Sequence, residues 1–424
     1  GEGSYVTDAQ GNRLLDGPGG MWCVNAGHGR REIVKAMADQ AEQLSYTSPW
    51  SHPTEPSARL AERLAAVAPG DLNHVFFATG GSTAVDSALR FVMFYNNVLG
   101  RPEKKHIISR YDAYHGSTYL SAAVSGKSRD KNWLDTQLDI VHFISSPNPY
   151  RRPEGMDTDS FCRQLVDELE AKILEVGAEK VGVFIAEPIL ASGGVIVPPK
   201  GYHAACLGVC RRHDVIYISD EVVTGFGRLG HFFSSEEIFG VVPDIITCAK
   251  GITSGYLPLG AVLFSDKLIS DLKNDSSLFF HGYTYSGHPA CCAAALKNIE
   301  ILKRDKILEH VREIEPYFFE KLNTLYELPI VGDIRGKGLM AGIECVINKK
   351  SKEALTLDKA IGSRIDEESI KLGLIIRPLY HICVLSPALI INKEQINDLT
   401  EKLYQAISNT IDQLKNEGLW SENK

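Results

Sequence analysis

Asp220 and Lys250 lie 30 positions apart (250 − 220), and each directly follows a short apolar run. An amine and a carboxylate fixed at neighbouring strand ends suit a bound heterocycle, because the amine condenses with an aldehyde and the acid keeps a ring nitrogen protonated. Three further runs end in polar residues that an apolar core would not choose. Residues 74–78 lead into Thr79-Gly80-Gly81-Ser82, residues 106–109 lead on to Tyr114-His115-Gly116, and residues 181–186 stop at Glu187-Pro188. Gly80-Gly81-Ser82 opens a helix, and free N–H groups there form an anion site. It is no Walker loop, since no Gly-Lys-Ser/Thr follows, and no dinucleotide fingerprint, since no third Gly stands at the required offset. Each feature alone has a plain structural use: the glycines as a turn, the Asp–Lys pair as an ion pair joining two strands. Five polar ends along one edge of an open parallel sheet make a site hypothesis, because ligands bind at that edge. Phosphate, pyridinium and aldehyde together describe pyridoxal 5'-phosphate.

To hold five such ends in line, the chain needs parallel strands with helices between them. Apolar runs at 74–78, 106–109, 181–186, 215–219 and 245–248 alternate with helix candidates at 82–96, 161–176 and 202–213. The runs are continuously apolar, as strands covered on both faces are. Strand–helix alternation implies right-handed crossovers and an α/β fold with a mostly parallel sheet and helices on both faces. After Pro289 a helical stretch gives way to charged helices and a few strands. The last helix carries Ile396, Leu399, Leu403, Ile407, Ile411 and Leu414 at spacings of three and four, an apolar stripe. These shifts predict an N-terminal segment, 1–45, that belongs with a smaller domain or an interface, a large cofactor-binding domain, 46–304, and a smaller α+β domain, 305–424.

The chain has 424 residues, enough for two to three cores. Lys plus Arg is 45 against 53 Asp plus Glu, a net charge of −8, so no basic excess exists to track phosphates and no nucleic-acid partner is expected. Charged residues at 23% and hydrophobics at 44% exclude global disorder. No apolar run is long enough to span a bilayer, so no membrane partner is expected. The opening has no charged-then-apolar leader and no initiator Met, so neither secretion nor a complete N-terminus is expected. Nine cysteines, an odd number without Cys-x-x-Cys, read as reduced thiols in the cytoplasm. Cys206 and Cys210 stand four apart on a helix candidate, but no His or acidic partner completes a metal site, so helix packing is expected and no metal.

Asp220-Glu221-Val222-Val223-Thr224-Gly225-Phe226-Gly227-Arg228, followed by Pro243-Asp244-Ile245-Ile246-Thr247-Cys248-Ala249-Lys250-Gly251, resembles the signature of class III (omega) aminotransferases, pyridoxal-phosphate enzymes of fold type I. The likeness extends through Ala186-Glu187-Pro188, His281-Gly282-Tyr283-Thr284-Tyr285-Ser286-Gly287-His288-Pro289 and Arg335-Gly336-Lys337-Gly338-Leu339, and so covers nearly the whole chain. Met21-Trp22-Cys23-Val24-Asn25 looks most like the branch that uses amines or omega-amino acids with pyruvate. The resemblance implies a mostly parallel seven-stranded sheet, a smaller α+β domain and a homodimer, or a tetramer of dimers, with shared active sites.

It also implies roles at matching positions. Lys250 would bond to the cofactor's aldehyde carbon and later shuttle a proton. Asp220 would pair with the ring nitrogen, and Gly81 and Ser82 would hold the phosphate. Tyr114 would stack on the ring, with His115 and Gly116 shaping that turn, Val222 on the opposite face and Glu187 near the ring edge. Thr284 would reach the phosphate of a neighbouring subunit. Arg377, in Gly373-Leu374-Ile375-Ile376-Arg377-Pro378, would bind a keto-acid carboxylate bidentately and swing aside for an amine that lacks one. Trp22 and Tyr46 align with pocket-lining positions, and their apolar faces favour a hydrophobic or long-chain amine. Two departures stand out. The family usually has Ser or Asn where Gly80 stands, and often an acid or Asn where Thr83 stands, which shifts phosphate holding onto backbone groups and Ser82.

The expected activity is transfer of an amino group from an amine or omega-amino acid to pyruvate or a similar keto acid, ping-pong through pyridoxamine phosphate. Lys250 must be neutral to attack, so burial or a positive neighbour should depress its pKa. A decarboxylase, racemase or aminomutase would share Lys250 and Asp220 without consuming a keto acid. A catalytically silent homologue would have no need of the amine.

Overall fold

The computed structural model describes residues 1–272, 277–355 and 361–421, apart from the side chains of 129 and 130. Its main sheet has seven strands in the order His74–Ala78, Gly260–Phe264, Ile245–Cys248, Ile216–Asp220, Val181–Ala186, His106–Arg110, Val141–Ile144. From Ile245–Cys248 to Val141–Ile144 every neighbouring pair is parallel. Gly260–Phe264 runs antiparallel to both of its neighbours. The four strands from Gly260–Phe264 to Val181–Ala186 in this order are buried along their whole length, as strands covered on both faces must be.

Two strands were absent from the sequence expectation. Val141–Ile144 is a four-residue edge strand whose apolar run is broken by His142. Gly260–Phe264 opens on a glycine, which weakens any strand reading. That antiparallel strand separates His74–Ala78 from the other polar ends, yet the parallel direction of His74–Ala78 still sends its following turn to the same edge. The strands expected at 106–109 and 215–219 are His106–Arg110 and Ile216–Asp220, each ending one residue later. The three helix candidates are Gly81–Val98, Thr158–Val176 and Tyr202–Arg212. Asp157 caps the second by accepting from Ser160 N. Cys206 and Cys210 are fully buried on the third, packed in a core cluster with Leu165, Leu169 and Phe184.

Helix Pro289–Arg304 packs on helices Arg31–Gln43 and Glu55–Ala65. Beyond it lies a second sheet, Val331–Lys337, Met340–Asn348, Ile382–Leu385 and Arg377–Leu379 in that order, all antiparallel. The N-terminal strands Tyr5–Thr7 and Arg13–Asp16 form a third sheet, in which Arg13–Asp16 pairs parallel with Leu374–Ile375. Leu15 and Leu374, 359 positions apart in sequence (374 − 15), thus pair in one small sheet. The closing helix Lys393–Asn416 buries the whole expected stripe and is capped reciprocally by Asn392 and Gln395. All nine cysteines are free thiols. Among the described residues no helix is long and apolar enough to cross a membrane, and no group of three metal-ligating side chains occurs.

Candidate active site

Parallel pairing places Asp220 opposite Thr247, three positions before Lys250, so both chemical ends leave the sheet on one edge. Ala186 pairs with Ser219, which brings Glu187 to the same edge. Asp220 is buried. His115 Nδ1 lies 2.7 Å from its Oδ2, while Val222 N and Thr247 Oγ1 each donate to Oδ1 at 3.2 Å. Ser125 Oγ accepts from His115 N at 2.8 Å and so holds the imidazole's own backbone. His115 Nε2 is buried without a partner. Glu187 accepts from Tyr114 N and from Ala191 N, both at 3.0 Å, and tethers the turn that carries Tyr114.

The helix Gly81–Val98 starts beside these groups. Its first i→i−4 bond is Ala84 N to Gly80 O at 3.0 Å, which leaves the amides of Gly81, Ser82 and Thr83 ahead of the ladder. Ser82 Oγ accepts from Ser117 N at 3.0 Å and joins this helix start to the Tyr114-His115-Gly116 turn. Gly116 sits at φ 139°, and a Cβ there would fall 2.5 Å from Ser121 Oγ and 2.6 Å from Ser82 Oγ, so only glycine fits. A Cβ on Gly81 would lie 2.9 Å from Val222 Cγ1, so Val222 packs directly on the helix start. Gly80 is extended at φ 171° with open space around it, so its lack of a side chain has no steric cause.

Lys250 occupies the left-handed region at φ 46°. Non-glycine residues held there are strained, and such strain clusters at functional sites. Burial depresses its pKa, against the pull of the Asp220 and Glu187 carboxylates, which favour the charged form. Burial raises the Glu187 carboxyl, and the nearby Asp220 adds to that, while His115 acts against it. A lowered lysine and a raised acid at one sheet edge are the perturbed pair expected of a reactive centre.

Arg377 stacks its guanidinium 4.6 Å above the Trp22 ring, and its charge is felt at Lys250. Trp22 is buried, with Nε1 unpartnered. Its turn is pinned by Asp16, whose two oxygens accept from Gly20 N at 3.0 and 2.8 Å. These contacts bring Trp22 and Arg377 together. Tyr46 and Thr284 are joined to each other instead, by a 2.9 Å bond from Tyr46 Oη to Thr284 O, on an exposed face with Tyr285 and Trp50. Among the described residues no hydrogen bond or ring contact links that pair to Lys250. Thr247, Ser117 and Ser125 were missed. Thr247 alone had a signal, as the residue opposite Asp220 in a parallel pair.

The residues present fit pyridoxal 5'-phosphate. A carboxylate with three hydrogen-bond partners behind it would suit a ring nitrogen, helix-start amides a phosphate, and an amine with a depressed pKa an aldehyde. The orphaned His115 Nε2 marks a buried polar edge beside them.

Comparison with known proteins agrees with this chemistry. The family described as "Aminotransferase class-III" matches residues 1–407. Putrescine–pyruvate aminotransferase of Pseudomonas aeruginosa is 41% identical over 402 residues, spanning 94% of this chain and 87% of that protein. A thermostable (S)-enantioselective omega-transaminase from Thermomicrobium roseum superposes with a TM-score of 0.95 at 39% identity, over 97% of this chain and 92% of that one. The omega transaminase of Pseudomonas jessenii, solved in complex with PMP, superposes with a TM-score of 0.95 at 34% identity, over 98% and 92% of the two chains. With the lysine, the acid and the glycine turn on one sheet edge, and a match that runs from the first residue into the last helix, this chain belongs to the class-III aminotransferase family.

Proposed function

We propose that the protein moves an amino group from an amine or omega-amino acid to a keto acid such as pyruvate, using pyridoxal 5'-phosphate. The observation that carries this reading is the pairing of Asp220, held by His115 at 2.7 Å, with Lys250 at the end of the adjacent parallel strand. The cofactor supplies an electrophilic aldehyde and a protonated ring that withdraws electrons from the substrate carbon. Asp220 keeps the ring nitrogen protonated, and His115, Val222 N and Thr247 hold the carboxylate in place. Lys250 Nζ, whose pKa burial depresses, takes a proton from the substrate carbon and returns it on the other side of the transfer. Ser82 and the amides of Gly81 to Thr83 would hold the phosphate, and Tyr114 and Val222 would pack against the ring. Glu187 fixes the Tyr114 turn.

Arg377 above Trp22 suits a carboxylate, which both the acceptor and an omega-amino-acid donor carry. The Trp22 face suits the methylenes of a longer amine. The relative that acts on putrescine and pyruvate supports a diamine or omega-amino donor with pyruvate as acceptor.

A second copy of this chain completes the site in this reading. Tyr46 and Thr284 lie on a face that also exposes Trp50 at 59%, Phe280 at 76% and Tyr285 at 60%, more aromatic surface than a monomer usually leaves wet. Covered by a partner, Thr284 would reach the partner's phosphate. The nine free thiols suit a reducing compartment, the cytoplasm.

The test is alanine formed from pyruvate with a panel of diamines and omega-amino acids. One alanine per amine consumed is expected, and no alanine from Lys250→Ala protein. Amine consumption without alanine would point to a decarboxylase or racemase, and turnover by Lys250→Ala would remove the reading altogether.

A further inference from the structure

The turn that carries Lys250 is gripped from two sides by groups that the chemistry above does not use. On one side, Asn298 of helix Pro289–Arg304 donates from Nδ2 to Gly251 O at 2.8 Å and to Ile252 O at 3.0 Å. Ser254 Oγ, from the same turn, donates back to Asn298 Oδ1 at 2.6 Å. On the other side, Asn25 donates from Nδ2 to Phe226 O at 2.8 Å and accepts at Oδ1 from Arg228 Nη2 at 3.0 Å. A Cβ on Gly251 would fall 2.3 Å from Asn25 Nδ2, so the amide presses on the backbone next to the lysine. Arg228 Nη1 donates to Leu339 O at 2.9 Å and to Pro387 O at 2.6 Å. Asn25, Asn298 and Arg228 are fully buried.

The amide oxygen and the amide nitrogen of each asparagine are engaged, and such a buried network favours one arrangement. Lys250 is held at φ 46°, a conformation that persists only where the surroundings over-determine it. Asn25 precedes the lysine by 225 positions (250 − 25) and Asn298 follows it by 48 (298 − 250), so neither is part of the local turn. The grip also extends outward. Pro387 follows strand Ile382–Leu385, in which Val384 pairs with Arg377. Arg228 therefore joins the lysine turn to the strand pair that carries the proposed carboxylate-binding arginine.

We propose that Asn298 and the Arg228-backed Asn25 form a clamp that positions the Lys250 amine, and that both asparagines are positioning residues for amino transfer. This rests on the reading of Lys250 as the reacting amine. The charged and titratable groups facing that amine are Asp220, Glu187, Cys23 and Arg377, and those facing Arg228 are Cys23 and Asp16. The clamp contributes no charge to either set except through Arg228, so its effect is on placement and on exclusion of water.

The experiment uses Asn298→Ala and Asn25→Ala, with Asn298→Ser and Asn25→Ser as conservative variants. In the full chain with cofactor bound, kcat for amine plus pyruvate should fall about tenfold or more in each alanine variant, while KM for pyruvate stays within about twofold. In the cofactor-free chain, acetylation of Lys250 by acetic anhydride, followed by mass spectrometry across pH, should show its midpoint raised by about one unit as water reaches the amine. The serine variants should recover part of both effects. A lower melting temperature with an unchanged acetylation midpoint and unchanged kcat would overturn the clamp and leave the asparagines as core residues. If an alanine variant does not fold, the same two readouts on its serine counterpart decide. Lys250→Ala keeps the failures apart: its continued turnover would sink the reading of the lysine, whereas its inactivity beside unaffected clamp variants would sink the clamp alone.

Discussion

Glu344 and Glu187 are both buried carboxylates, yet their surroundings oppose each other. Glu344 accepts from Arg335 Nη1 at 2.6 Å, pairs with Arg151, and has His381 Nε2 at 3.4 Å. Burial alone would raise it, but His381, Arg335 and Arg151 bring it down to about 2. The Glu187 carboxylate accepts from two backbone N–H groups, while Arg110 Nη2 reaches only the residue's backbone carbonyl at 2.6 Å, and burial raises the carboxyl. Beside it, burial lowers Lys250, and His115 Nε2 has no partner. The Glu344 cluster balances its charge within the protein and holds the second sheet to residues 151 and 194. The sheet edge leaves its charge unbalanced, in the way a site does that waits for a ligand with its own phosphate and ring nitrogen.

Substitutions separate these two plans, beginning with the largest effect. Asp220→Asn should leave a buried ring cation without its counter-ion, a loss of about 3–5 kcal/mol, and lower kcat/KM on the order of a hundred- to several-thousand-fold. A loss under about tenfold would show that this edge does not work by charge. Glu344→Gln should break the finished cluster and leave Arg151 and Arg335 uncompensated. Because Arg151 is partly exposed, the expected loss is about 3 kcal/mol in urea unfolding, with turnover by the folded protein within about twofold.

In both regions stability rises with pH, in an acid window for Glu344 and in an alkaline one for Lys250. The folded pKa of Glu344, about 2, lies below the ordinary 4.5. Its stabilisation is therefore present above 4.5 and is lost as pH falls from 4.5 towards 2, about 3 kcal/mol in all. Glu344→Gln should flatten the urea midpoint across that window. Lys250 is a base whose folded pKa is depressed below the ordinary 10.5. It destabilises the cofactor-free fold most below its folded pKa, and this cost fades as pH rises towards 10.5. Lys250→Met should remove the alkaline rise in stability, and an unchanged alkaline limb would contradict the burial of the amine.

Smaller effects sharpen the geometry of the edge. Gly116→Ala should push on Ser82 and Ser121 and weaken cofactor binding by about 1–3 kcal/mol, measured by equilibrium dialysis, since the new Cβ would lie 2.5 Å from Ser121 Oγ. Gly80→Ser enters open space in an extended backbone and should change stability by no more than about 0.5 kcal/mol. A large loss there would mean that the helix start is shaped differently from the edge described.

Much of this site was legible because a parallel sheet sends all its C-terminal ends one way. The apolar runs before Asp220, Lys250 and Glu187 are continuous, so the polar residue closing each run had to emerge at the ligand-binding edge. The closing helix was legible for a similar reason, since its stripe repeats every three or four residues. Gly260–Phe264 was not, because its opening glycine and short apolar run carry no sign of direction. Asn25 and Asn298 carried no sign of this role, since their amide nitrogens donate to backbone carbonyls that every residue has and their oxygens accept from Arg228 and Ser254, far away in sequence.

Residue types along the chain were enough to determine that an amine, a carboxylate and an anion-holding turn would share one edge, because strand direction follows from strand–helix alternation. Distance along the chain says nothing about which buried amide meets which carbonyl. That choice fell to the packing of helix Pro289–Arg304 and the segment around Asn25 against the lysine turn, and to the pairing of Arg13–Asp16 with Leu374–Ile375. Hydrogen bonds to the main chain carry no residue code, so only the folded arrangement could decide them.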